Sequence, residues 1–160
     1  MIEAALQRGD APSEPYGLIS DAKERFAQGD KHFAILHLNS ALESAVDQFI
    51  ERQLGTKIPA TSLKSILKEN YDRLLSNWVL PLSDNLNLEL RNREWPSIRE
   101  IQDLRREAGH PALSRGVAAL SDTNWYRLVR AATAAVAKLT GTAAPKSPHP
   151  MTGELQAGTN

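Results

Sequence analysis

The sequence predicts an all-α protein, a bundle of four to five helices, and three observations carry that prediction. Prolines at 59, 81, 96 and 111 cut the middle of the chain into segments of helical length. Proline is tolerated at a helix start and disfavoured inside one. Between these breaks apolar residues recur at three- and four-residue spacing, the mark of one buried helical face. Strand-like alternation occurs at Leu86, Leu88 and Leu90, and a lone strand has nothing to pair with.

The elements follow in order. Residues 1–19, with Gly9, Pro12, Pro15 and Gly17, read as a loose leader. Asp21 followed by Glu24 resembles a capping box that opens the first helix. Ile35, Leu38, Leu42, Ala45 and Phe49 then line one face, with Gly29-Asp30 as a break and Gly55 as a stop. Thr61 or Ser62 caps a second helix bearing Leu63, Ile66, Leu67, Tyr71, Leu74, Leu75 and Trp78. Leu82, Leu86 and Leu90 fit a helix started by Ser83 or Asp84, which is preferred over the strand.

Pro96 suits the first turn of a helix with Ile98, Ile101, Leu104 and Ala108 facing inward and Gly109 at its end. Ser121 or Asp122 opens the last helix, with Trp125, Leu128, Val129, Ala132, Val136 and Leu139 on one face and Gly141 beyond. Residues 20–140 thus form the helical domain. Residues 141–160, rich in Pro and Gly without apolar periodicity, read as a disordered tail. An echo of a tetratricopeptide repeat at Gly29-Asp30, Ala34-Ile35 and Ala41-Leu42 does not recur downstream, so no repeat array is expected.

Composition excludes several classes. The chain of 160 residues contains no cysteine, which rules out disulfides, thiolate zinc sites and cysteine nucleophiles. No segment has the run of apolar residues needed to span a membrane, and the start does not read as a signal peptide, so a cytoplasmic, soluble protein is expected. Nineteen Lys and Arg balance nineteen Asp and Glu. That neutrality argues against a protein coating long nucleic acid. Distribution is more informative: from Glu69 to Ala137 there are arginines but no lysine. Arginine suits forked phosphate recognition, and equally suits helix ion pairs. His32 and His37 have the wrong spacing for a shared metal face, so neither a metal nor a cofactor is expected.

One cluster carries potential chemistry: Arg105-Arg106-Glu107-Ala108-Gly109-His110, followed by Pro111. On a continuous helix Arg106 and His110 lie ~40° apart and ~6 Å along the axis, whereas Arg105 and His110 lie ~140° apart. The second pair converges only if the helix loosens at Gly109. Arginine holds phosphate, and histidine exchanges protons near neutrality. The plain structural alternative is a histidine favoured by the helix dipole beside solvated arginines.

The segment RREAGHP matches the R-x(4–6)-H signature of the HEPN superfamily, which this chain resembles over residues 20–140. The upstream stretch GDKHFAILHLNSALESAVDQFI is similar to that family's first long helix, leading to an acid at Glu43. The resemblance implies a four- or five-helix bundle that homodimerises and, in many members, acts as a metal-independent endoribonuclease of toxin–antitoxin, defence or RNA-processing systems. Other members are non-catalytic interaction modules. It implies catalytic roles for Arg105 and His110 and substrate-binding roles for Arg106 and Glu43. Two features depart from the family pattern: Arg106 stands where active members often carry Asn, Asp or His, and Ala112 stands where one toxin subfamily has tyrosine.

If the resemblance extends to activity, single-stranded RNA is the substrate and its own 2′-hydroxyl the nucleophile. His110 would serve as general base or acid and Arg105 would stabilise the phosphate oxygens. DNA would be spared. With Trp95 and Trp125 the nearest stacking candidates, weak base specificity is expected. Expected partners are a second copy, RNA, and an antitoxin or a nucleotidyltransferase. The alternatives are a non-catalytic HEPN-like dimerisation module and a nucleotide-binding accessory subunit to such a nucleotidyltransferase.

Overall fold

A computed structural model describes residues 14–110, 112 and 114–145. Among them there is no strand. The order is α1 (Glu14–Ala27), α2 (Lys31–Leu54), α3 (Ala60–Leu67), α4 (Tyr71–Arg73), a π-helical stretch (Leu74–Val79), α5 (Leu80–Asn85), α6 (Trp95–Ala108), α7 (Arg115–Ala118) and α8 (Asp122–Thr140).

The core is a layer of helices around α2, which packs on α1, α6 and α8. Its face at Ile35, Leu38, Leu42, Ala45 and Phe49 is buried as the spacing predicts, and Ala34, Ala41, Val46 and Ile50 are buried as well. A helix apolar over most of its circumference belongs at the centre of a bundle. Gly29 makes the turn into α2 with φ 84°, a left-handed conformation natural to glycine. Asp30 caps α2, its Oδ1 accepting from the Phe33 amide at 3.2 Å.

The helices α6 and α8 follow the sequence closely. Pro96 lies in the first turn of α6, whose inward residues are Ile98, Ile101, Leu104 and Ala108. Ser121 Oγ accepts from the Asn124 amide at 3.2 Å, and Trp125, Leu128, Val129, Ala132, Val136 and Leu139 are all buried. Gly141, at φ 71°, ends α8 in left-handed geometry. Beside it Arg52 donates to the Leu139 carbonyl at 2.6 Å and to the Thr140 carbonyl, a cation on the negative end of the helix. The ion pair of Lys138 Nζ with Glu94 Oε2 at 2.8 Å ties α8 to the start of α6, with Glu94 almost fully buried.

Several boundaries differ from expectation. The leader assigned to residues 1–19 is helical from Glu14, because Tyr16 and Ile19 are buried and the Tyr16 hydroxyl donates to the Thr142 carbonyl. Residues 1–13 and 146–160 lie outside the described part. Asp21 accordingly sits within α1 rather than capping it. The second helix starts at Ala60, two or three residues earlier than Thr61 or Ser62 caps would allow, and breaks before Tyr71. Asn70 recaps the chain there, accepting from the Arg73 amide at 3.0 Å.

Pro81 cannot donate to the carbonyl four residues back and crowds it. The wide π-helical stretch immediately upstream accommodates that defect. Helix α5 then stops at Asn85, so the proposed helix through Leu86 and Leu90 is not formed. Asn87 and Glu89 take left-handed φ of 54° and 55°, incompatible with helix and strand alike. This turn leaves Leu86 exposed and drives Leu90 into the core.

Candidate functional site

A polar cleft of about 280 Å³ opens where α2, the start of α4 and the C-terminal half of α6 meet. Asn39 and Glu43 come from α2, Asn70, Tyr71 and Asp72 from the cap and first turn of α4, and Gln102, Arg105 and Arg106 from α6. The helical periods explain this set. Asn39 and Glu43 are one turn apart and Asn39 Nδ2 donates to Glu43 Oε1 at 3.0 Å. Gln102, Arg105 and Arg106 share a face of α6 by three- and four-residue spacing.

The two arginines have different surroundings. Arg106 donates to Asp72 Oδ2 at 2.7 Å and to Asp103 Oδ1 at 3.0 Å, bridging α6 to α4. Both pairs are about half exposed, so their contribution to stability is small. Arg105 is exposed at the cleft and forms no ion pair or side-chain hydrogen bond among the described residues.

His110 is exposed just past the helix end and does not line the cleft. Its amide donates to the Glu107 carbonyl at 2.9 Å, three residues back, while Gly109 keeps a right-handed φ of −74°. The helix therefore tightens at Gly109 instead of loosening. Tightening overwinds the backbone and carries His110 away from the face that holds Arg105. Of the four residues singled out from sequence, the structure brings Glu43, Arg105 and Arg106 into one cleft and leaves His110 outside it.

The stretch from Ser114 to Leu120 is held in place. Glu107 Oε2 accepts from the Gly116 amide at 3.0 Å, and a Cβ on Gly116 would lie 2.6 Å from that oxygen. His32 Nε2 and Ser114 Oγ are 2.9 Å apart, and Lys31 Nζ donates to the Leu120 carbonyl at 2.9 Å. His32 is thus a loop anchor. His37 Nδ1 lies 2.8 Å from the Phe33 carbonyl.

Behind the cleft lining lie buried polar atoms that the sequence reading missed. Asn39 Oδ1, Gln102 Oε1 and the Tyr71 hydroxyl are buried without a hydrogen-bond partner among the described residues. Burial raises the Tyr71 phenol well above its ordinary value, and the Glu43 and Asp72 carboxylates push it further. It stays a neutral donor. The available signal was polar residues at core-facing positions, Asn39 beside Leu38 and Gln102 beside Ile101, but Tyr71 was indistinguishable from an apolar anchor. Trp125 is excluded from any stacking role, since it is buried and lies flat on Phe26 with ring centroids 4.5 Å apart. Trp95 is partly buried, with the Arg99 guanidinium 5.8 Å from its ring centre.

Among the described residues no three or more of His, Asp and Glu group as metal ligands, and no helix is long and apolar enough to cross a membrane. No family model, curated protein or solved structure matches the chain.

Proposed function

We propose that the chain is a HEPN-like, metal-independent endoribonuclease that cleaves single-stranded RNA as a homodimer. One observation carries this reading: Arg105, free of ion pairs among the described residues, stands at a polar cleft, with the exposed His110 on the turn that follows. The helical architecture and the R-x(4)-H spacing support it.

The chemistry needs only side chains and the substrate. The 2′-hydroxyl attacks the adjacent phosphorus, the bond from phosphorus to the 5′-oxygen breaks, and the products are a 2′,3′-cyclic phosphate and a 5′-hydroxyl. Arg105 holds the non-bridging oxygens as charge grows on them. His110 accepts the hydroxyl proton or supplies one to the leaving oxygen. Because one chain turns His110 away from its own cleft, the second copy is assigned the task of completing the site. Arg106, committed to Asp72 and Asp103, shapes the cleft wall, while Glu43 faces substrate. A cytoplasmic toxin or defence role, checked by an antitoxin or a nucleotidyltransferase, fits such an activity.

The test is cleavage of single-stranded RNA in chelator by wild type, Arg105→Ala and His110→Ala. Loss in both variants supports the reading; equal cleavage by all three removes it. A second reading, a non-catalytic helical module, is favoured by the same outward position of His110 and by the pairing of Arg106. It expects intact RNA and an altered dimer in His110→Ala.

A further inference from the structure

One stretch of chain stands apart from the rest of the fold. Leu54, which ends α2, and Leu74, which opens the π-helical stretch, are buried, and no residue between them is. Helix α3 packs on α2, and its Leu63, Ile66 and Leu67 reach the core only partly covered. A segment with so little apolar burial can open while the bundle stays folded. Closure also strands polar atoms. Glu69 Oε2 and the Tyr71 hydroxyl are shut off without a hydrogen-bond partner among the described residues. Opening hydrates both.

A single tie opposes that opening. Among the described residues, the bond from Arg106 Nη2 to Asp72 Oδ2 at 2.7 Å is the only side-chain hydrogen bond or ion pair joining residues 55–73 to another helix. Both partners are about half exposed, so the tie is weak and open to competition. Asp72 also sets a carboxylate in the cleft that Arg105 lines, where it repels an anion.

We propose that residues 55–73 form a lid on the cleft, latched by Asp72 on Arg106, and that an incoming phosphate group competes for Arg106 and releases the latch. The lid rests on the ribonuclease reading only for its ligand, the backbone phosphate of RNA. Closed, the cleft offers one uncommitted guanidinium, Arg105. Open, Arg106 keeps Asp103 alone and presents a second fork to the phosphate, while the opposing carboxylate departs with the lid.

The test is amide hydrogen exchange of the full chain in wild type, Arg106→Ala and Asp103→Asn, each free and with a 2′-O-methyl RNA oligonucleotide. That probe has no free 2′-hydroxyl and stays uncut. In free wild type, protection of α3 amides should be at least about tenfold below that of α2 and α8, and nearly independent of dilute urea. Arg106→Ala cuts the latch from outside the lid and should speed exchange of α3 and α4 about two- to fivefold. Asp103→Asn removes the other partner of the same arginine and should leave the lid unchanged. Bound oligonucleotide should speed lid exchange in wild type and add nothing in Arg106→Ala.

Protection of α3 equal to that of α2, or lid exchange unaltered by Arg106→Ala, overturns the proposal. So does a lid that bound oligonucleotide slows, since it then closes over the ligand. An oligonucleotide that fails to bind removes the ribonuclease reading, and free wild type against Arg106→Ala still decides the latch.

Discussion

Gln102→Met tests whether the cleft is maintained at the expense of stability. Gln102 is 4% exposed and its Oε1 has no partner among the described residues. A buried acceptor left unpaired costs about 1–3 kcal/mol. Methionine has similar length and flexibility, fills the same space and carries no such penalty. The substitution should therefore raise unfolding free energy by about 1–2 kcal/mol, allowing for part of the penalty being relieved by solvent. For a chain of this length that is a rise in Tm of roughly 3–6 °C. Urea titration at constant m-value, alongside calorimetry, reads the change directly. A loss of about 1 kcal/mol or more would mean instead that the oxygen makes a hydrogen bond in the folded protein.

Three other perturbations probe the frame that holds the site. Lys138→Met strips the partner from the nearly buried Glu94 and should destabilise by about 3 kcal/mol, with Glu94→Gln on top recovering part of it in a double-mutant cycle. Gly116→Ala forces Glu107 off the amide it accepts from, since the new Cβ would meet Oε2 at 2.6 Å. It should cost about 1–2 kcal/mol, visible as faster hydrogen exchange across α7. Asp47 is raised above its ordinary value of 3.8 by desolvation first and then by the Glu51, Glu43 and Glu14 carboxylates. The folded state thus holds this proton to higher pH than the unfolded chain, so ionisation of Asp47 works against folding. Asp47→Asn should raise Tm near neutrality, and the gain should vanish as pH falls below 3.8.

Local rules made α6 and α8 legible. Pro96, Gly109, Ser121 and Gly141 mark their ends, and three-four spacing marks their buried faces, all within a few residues of sequence. The same rules failed at Leu86 and Leu90, whose helical spacing was overridden by two left-handed residues, Asn87 and Glu89. They failed again at Tyr16, where burial against the far end of the chain extends α1 past Gly17.

The cleft was half legible. Arg105 was visible through its spacing to His110, and Glu43 only through the resemblance of its helix to a HEPN first helix. Asn39, Gln102 and Tyr71 were hidden inside apolar patterns. The role of Arg106 depends on Asp72, 34 residues away, which spacing along one helix cannot supply. The outward placement of His110 comes from a single tightened turn at Gly109, where the residue type alone suggested the opposite.

The most direct measurement uses DNA oligonucleotides carrying one ribonucleotide, incubated with the protein in chelator. Scission is expected only on the 3′ side of the ribonucleotide, with an upstream product whose mass corresponds to a 2′,3′-cyclic phosphate. Scission within the deoxy stretches, or an upstream product whose new end is a 3′-hydroxyl, would contradict attack by the 2′-hydroxyl.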